Sequence, residues 1–84
     1  MQLRRDGLSW HTAGDEVVVL DLEGSVYLRV NGTGRVLWEL LTEPRTEDEL
    51  VDALVAHSGI ERERAAGDVA EFIARLRERE LVES

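Results

Sequence analysis

From Ser25 to Val30 the chain reads SVYLRV, with Val26, Leu28 and Val30 on one alternating set of positions and Ser25, Tyr27 and Arg29 on the other. A period of two predicts a strand that buries one face. Upstream, Glu16–Leu22 reads EVVVLDL, a nearly continuous β-branched and aliphatic run, which predicts a strand covered on both faces. Glu23-Gly24 between them predicts a tight hairpin turn, because glycine reaches positive φ without steric cost. A two-residue loop sets Leu22 opposite Ser25, and the pairs Asp21–Val26, Val19–Leu28 and Val17–Val30 follow. One face then collects Val17, Val19, Val26, Leu28 and Val30 and is the expected core. The other collects Val18, Leu20, Leu22, Tyr27 and Arg29 and is only partly covered. An earlier segment, GLSWHTAGDE, predicts a short strand ending at the Ala13-Gly14-Asp15 turn.

After Val30 the period changes from two to that of a helix. Asn31 has a side-chain oxygen suited to an N-cap. A first helix to about Leu41 would bury Val36, Leu37, Leu40 and Leu41, with Trp38 towards the edge of the stripe, and Thr42 and Pro44 end it. Thr46-Glu47-Asp48-Glu49 is a capping-box pattern. It opens a second helix with Leu50, Ala53, Leu54 and His57 inward, stopping near Gly59. A third helix from about Glu61 to Glu78 carries Ala66, Val69, Ile73 and Leu76 as its stripe, and Leu81 and Val82 close the chain as an apolar tail. Three strands followed by three helices predict an α+β fold with helices on one face of an antiparallel meander. The third strand is then an edge with unpaired outer N–H and C=O groups. With Val69 at the centre of the buried stripe, Phe72 lies about 60° to one side, sharing that shoulder with Ala65 and Leu76. Asp68, Arg75 and Arg79 lie further out. This describes a groove wall with an aromatic floor and a charged rim; the plainer reading is a core phenylalanine beside a solvated face.

Composition narrows what such an edge could serve. The 84 residues suffice for one small domain, residues 1–84. Only Trp10, Tyr27, Trp38 and Phe72 are aromatic, so the core rests on aliphatic side chains. There is no cysteine, hence no disulfide or thiolate chemistry. No apolar run reaches the ~18–20 residues of a membrane span, and MQLRRDG lacks the apolar stretch of a signal peptide. A soluble cytoplasmic protein without a membrane partner is expected. The net charge is −8, with ten arginines and no lysine, which disfavours nucleic acid as a partner. Residues 61–80, the candidate recognition helix of a DNA-binding regulator, hold six acids against five arginines. The acidic stretch Thr42–Asp52 would draw a partner rich in Lys or Arg. His11 and His57 are the only histidines, no serine sits beside a visible base, and Gly32 and Gly34 lack a phosphate-loop context. Neither catalysis, a metal nor a cofactor is expected.

Three stretches, GSVYLRVNGTGRVLWELL, RTEDELVDAL and DVAEFIARLRERELV, together resemble the PqqD-like proteins, the leader-peptide recognition elements of ribosomal peptide biosynthesis. The matching positions are Val30-Asn31, Thr33 to Trp38, Arg45-Thr46, Asp68 to Leu76 and Leu81-Val82, and the likeness spans about residues 8–82. Their order and spacing carry it rather than any one motif, and Val30 stands where the family often has leucine. The stand-alone length and GTGRVLW are most similar to the discrete recognition protein of lasso-peptide systems. The resemblance implies a winged helix-turn-helix-like fold and a non-catalytic adaptor. A precursor's leader would add as a strand beside the third strand, at Val26, Tyr27, Leu28, Arg29 and Val30. It would pack against the third helix at Ala65, Asp68, Val69, Phe72, Arg75, Leu76 and Arg79. The adaptor would deliver it to a separately encoded leader protease, with a cyclase as a further partner. The alternatives are a PqqD-type chaperone serving a radical or other modifying enzyme, and a small winged-helix DNA-binding regulator.

Overall fold

A computed structural model describes residues 1–4, 6–22 and 26–83. The expected hairpin turn at Glu23-Gly24 lies outside them. The elements run β1 (Gln2–Leu3), β2 (Leu8–Ala13), β3 (Glu16–Asp21), β4 (Val26–Asn31), α1 (Thr33–Leu40), α2 (Glu47–Ser58), α3 (Arg62–Glu78) and β5 (Val82–Glu83). β2, β3 and β4 form an antiparallel sheet in that order. The register of β3 on β4 pairs Asp21 with Val26, Val19 with Leu28 and Val17 with Val30. This is the register that the alternation predicts. Gly14, at φ 67, opens the β2–β3 turn in the left-handed region that glycine favours.

The sheet buries one face only. Val17, Val19, Leu28 and Val30 join Leu37, Trp38, Leu41, Leu50, Leu54, Val69, Ile73 and Leu76 in one core. The expectation that β3 is covered on both faces is therefore corrected: Val18 is half-buried and Leu20 exposed. Side chains of all three helices share the core with the inner face of the sheet, whereas Leu20, Leu22 and Tyr27 are exposed.

Several helix positions also differ from expectation. Asn31 is still paired with Glu16 in the ladder, so it cannot cap α1. Gly32 takes the cap position at φ 58, and no side chain caps the helix. Trp38 is wholly buried rather than at the edge of its stripe. It meets Trp10 of β2 edge to face, ring centroids 5.7 Å apart, a geometry favoured by the ring quadrupoles. α2 opens with the capping box as read, the Thr46 hydroxyl accepting from Glu49 N–H and the Glu49 carboxylate accepting from Thr46 N–H. It buries Leu50, Val51 and Leu54, while Ala53 is half-buried and His57 exposed. On α3 the stripe is Ala65, Val69, Ile73 and Leu76, and Ala66 is exposed. Only the first position of the stripe differs from expectation, Ala65 standing in for Ala66; Val69, Ile73 and Leu76 are buried as read.

The two chain ends pair with each other, β1 antiparallel to β5, and bury Leu3 and Leu81. Arg4 continues this tie. Its backbone N–H donates to Leu81 O at 2.8 Å, its Nη1 donates to Glu80 O at 3.0 Å, and its guanidinium pairs with Asp21, the one buried charged side chain among the described residues. The C-terminal end of α3 is thereby held beside the Asp21–Val26 end of the β3–β4 hairpin.

Candidate functional site

β4 has β3 on one side and, among the described residues, no strand on the other. Which of its backbone groups face outward follows from the ladder. Leu22 N–H donates to Gly7 O at 2.7 Å, towards the β2 side. Successive residues of a strand direct their backbone groups to opposite sides. Val17, Val19 and Asp21 therefore face β4, and their partners Val30, Leu28 and Val26 face back. Tyr27 and Arg29 are left with their N–H and C=O groups on the open edge.

Alongside this edge runs a cleft of about 380 Å³ between β4, the start of α1, and α3. Its apolar floor is Leu28, Val30, Leu37, Phe72 and Leu76. Gly34 lets the walls meet. A Cβ there would come within 2.8 Å of Val30 Cγ1 and 3.4 Å of Phe72 Cε1, so any side chain at this position would push into the floor. Phe72 is half-buried: its ring belongs to the core on one side and to the cleft on the other.

The rim is charged. Arg29 leans across the strand to Glu16, whose hydrogen bond and then whose charge hold the guanidinium pKa above its ordinary value. Asp68 and Glu71 line one part of the cleft, and Arg75 and Arg79 another. A second, wider depression is lined by Asp15, Gly32, Thr33, Arg35, Val36, Glu39 and His57, and there Arg35 and Glu39 pair at 3.1 Å.

Of the residues expected to form the site, Leu28, Arg29, Val30, Asp68, Phe72, Arg75, Leu76 and Arg79 line the cleft together. Ala65 and Val69 do not: both are fully buried, because the stripe they share is the one that packs α3 on the core. Tyr27 is 57 % exposed and projects from the outer face of the sheet. The backbone of Val26 is paired with Asp21. The sequence reading missed Asn31, Thr33, Gly34, Leu37 and Glu71 in the lining. Glu71 stands four residues before Arg75, a helical spacing that places the two on one side of α3. Gly34 could have been noticed as a glycine inside a helix, where it needs a packing reason. His11 and His57 are both exposed and neither lines the cleft. Among the described residues no cluster of His, Cys, Asp or Glu is placed to hold a metal ion. What the arrangement offers is a row of main-chain donors and acceptors, an apolar floor and a charged border, which together suit an extended peptide.

Comparison with known proteins agrees in fold and extent. The PqqD family model, described as coenzyme PQQ synthesis protein D, matches residues 16–82. None of the curated proteins gives a significant match. Among solved structures, the chain is similar to TbiB1 in complex with the TbiA(beta) leader peptide, at 31% identity and a TM-score of 0.90, over 100% of this chain and 96% of that one.

Proposed function

Because the chain belongs to the PqqD family, we propose that it is a non-catalytic adaptor whose β4–α3 cleft holds the leader segment of a ribosomally made precursor peptide. The observation that carries this reading is the open edge of β4 facing Phe72 across an apolar floor, in a chain similar to a protein seen with a leader peptide. The leader adds as a strand to β4, taking up the backbone groups of Tyr27 and Arg29. Two residues with one donor and one acceptor each give about four main-chain bonds. At about 0.5–1.5 kcal/mol net apiece they roughly offset the ~2–5 kcal/mol of ordering a flexible peptide. Net affinity then comes from apolar side chains seated on Leu28, Val30, Phe72 and Leu76. The site residues proposed are therefore those five positions of β4, Val26 to Val30, together with Asp68, Phe72, Arg75, Leu76 and Arg79. Ala65 and Val69 support the helix from below.

The adaptor holds the leader for a separately encoded leader protease of lasso-peptide maturation, raising the local concentration of the cleavage site, and passes the core segment towards a cyclase. The runner-up keeps the same peptide-binding logic with another client, a radical or other modifying enzyme. The test is calorimetric titration with a synthetic leader from the precursor gene neighbouring this one, with a scrambled leader as control. Saturable one-to-one binding of the true leader alone is expected. Equal binding of both, or of neither with and without the protease, would overturn the reading. Repeating the titration against each candidate enzyme identifies the client.

A further inference from the structure

The charges around the cleft are not mixed evenly; they are sorted along its length. Two contacts fix the direction of α3 relative to β4. Gly34 lies against both Val30 and Phe72, so the middle of α3 is at the Val30 end of the strand. Arg4 joins Glu80 O to Asp21, the partner of Val26, so the last turn of α3 is at the Val26 end. The helix therefore runs antiparallel to β4. Asp68 and Glu71 fall at the Val30–Thr33 end of the cleft, and Arg75 and Arg79 fall towards Leu28 and Val26.

Among the described residues these four charges are also without an ion-pair partner. Arg29 is bonded to Glu16, whereas neither Arg75 nor Arg79 is paired with a carboxylate among the described residues, even though Glu71 stands one turn before Arg75. All four are exposed and all four line the cleft. A peptide lying along β4 would pass the acidic pair and the basic pair in turn. At about 1.5 Å per helical residue, Asp68 and Arg75 are separated by ~10 Å along the axis, which an extended chain crosses in about three residues.

Resting on the leader-binding reading above, we propose that this charge polarity sets the direction and register of the docked leader: the cleft takes a segment with a carboxylate side chain at the Arg75/Arg79 end and rejects one at the Asp68/Glu71 end. In a strand antiparallel to β4, which extends the pattern of the sheet, the favoured segment carries its basic or neutral residue first. Its acidic residue follows about two or four positions later, on the same face of the strand. Main-chain bonds to an edge are nearly indifferent to side chains, and an apolar floor tolerates a shift of two residues. Opposed charges at the two ends penalise both the reversed and the slipped peptide.

The experiment is a charge scan. Each leader position is replaced in turn by Glu and by Lys, and binding of the fluorescein-labelled peptides is followed by anisotropy at low and moderate salt. The full-length wild-type chain is compared with Arg75→Glu/Arg79→Glu and with Asp68→Lys. One block of positions should bind about tenfold more tightly with Glu than with Lys, and a block nearer the peptide N-terminus should show the reverse. The preference of the first block should invert in the double arginine variant while the second is unchanged, and Asp68→Lys should move only the second. Salt should shrink both effects. All substituted residues are exposed, and far-ultraviolet circular dichroism checks that the helices are retained. Leader binding that is intact but blind to charge position, or arginine reversals that weaken all peptides equally, would overturn the polarity and leave the adaptor reading standing. Failure of the wild-type chain to bind the unmodified leader would overturn both.

Discussion

Gly34 and Phe72 touch where α1 begins, and a single methyl group on Gly34 would stand 3.4 Å from Cε1 of the ring and 2.8 Å from Val30 Cγ1. Glycine inside a helix costs roughly 1 kcal/mol relative to alanine, so the contact is retained against propensity. Gly34→Ala should gain that increment and lose more, about 1–3 kcal/mol, through overpacking. The expected result in urea unfolding is a lower midpoint, with weaker leader binding as Phe72 is displaced into the cleft. An unchanged or higher midpoint together with unchanged binding would show that the walls can part at little cost.

Phe72 serves core and cleft together, and its removal should separate the two roles. Because the ring is half-buried, Phe72→Ala should cost less than the ~3–5 kcal/mol of a fully buried aromatic, with helicity largely retained. Leader affinity should fall by tenfold or more, about 1.4 kcal/mol. Calorimetry and thermal unfolding on the same sample check this, and parallel losses of stability and affinity would assign Phe72 to the core alone.

Arg4 joins three parts of the molecule through Asp21, Asp6 O and Glu80 O. Asp21 is 4 % exposed, and weakening the compensation of a buried carboxylate is costly. Arg4→Ala should destabilise by about 2 kcal/mol and raise hydrogen exchange at β1, β5 and the end of α3 together. Exchange confined to β1 would show that the tie is local.

The α2 capping box gives the fold an acid-sensitive element. The Thr46 N–H bond to Glu49, opposed by partial desolvation and helped by the Thr46 hydroxyl and Arg45, holds the Glu49 pKa below its ordinary value. A depressed carboxylate contributes stability that is complete above the unfolded value, about 4.3, and is lost as pH falls through the folded one. Stability measured from pH 6 to 3 should therefore decline more steeply in the wild type than in Glu49→Gln. Thr46→Ala should lower stability at neutral pH by about 1 kcal/mol. Equal acid dependence in wild type and Glu49→Gln would assign the acid response to other carboxylates.

The register of β3 on β4 was legible because a strand that buries one face cannot slip by one residue without inverting it, and the assumed two-residue loop chose among the registers that keep Val17, Val19, Leu28 and Val30 together. The capping box was legible because its donors and acceptors are adjacent in the chain. Asn31 misled because a good cap residue can equally end a strand: it is the last residue of β4, in register with Glu16, and the cap position falls to Gly32. Two-residue strands carry no period, so β1 and β5 had no trace beyond the apolar Leu3, Leu81 and Val82. The placement of Trp38 depended on Trp10, twenty-eight residues earlier, and the choice of Ala65 over Ala66 at the start of the α3 stripe on what faces that turn. Of the cleft, the edge strand and the Phe72 shoulder were visible from local pattern. Gly34 and Glu71 carried local signals, a glycine inside a helix and a four-residue spacing to Arg75, but what they line appeared only when α1 and α3 were set beside β4.

The open edge of β4 also has a colloidal consequence. A free strand edge is a template for any extended backbone, including that of another copy, and native edges are commonly defended by charge. Here the defence is Arg29 locked to Glu16, and behind it the mutual repulsion of chains that each carry −8. That repulsion vanishes near the isoelectric point of about 4.6, with the edge still exposed. Turbidity of the unliganded protein should accordingly peak in mildly acidic buffer, and a peptide seated along β4, as proposed, should suppress it by covering the template.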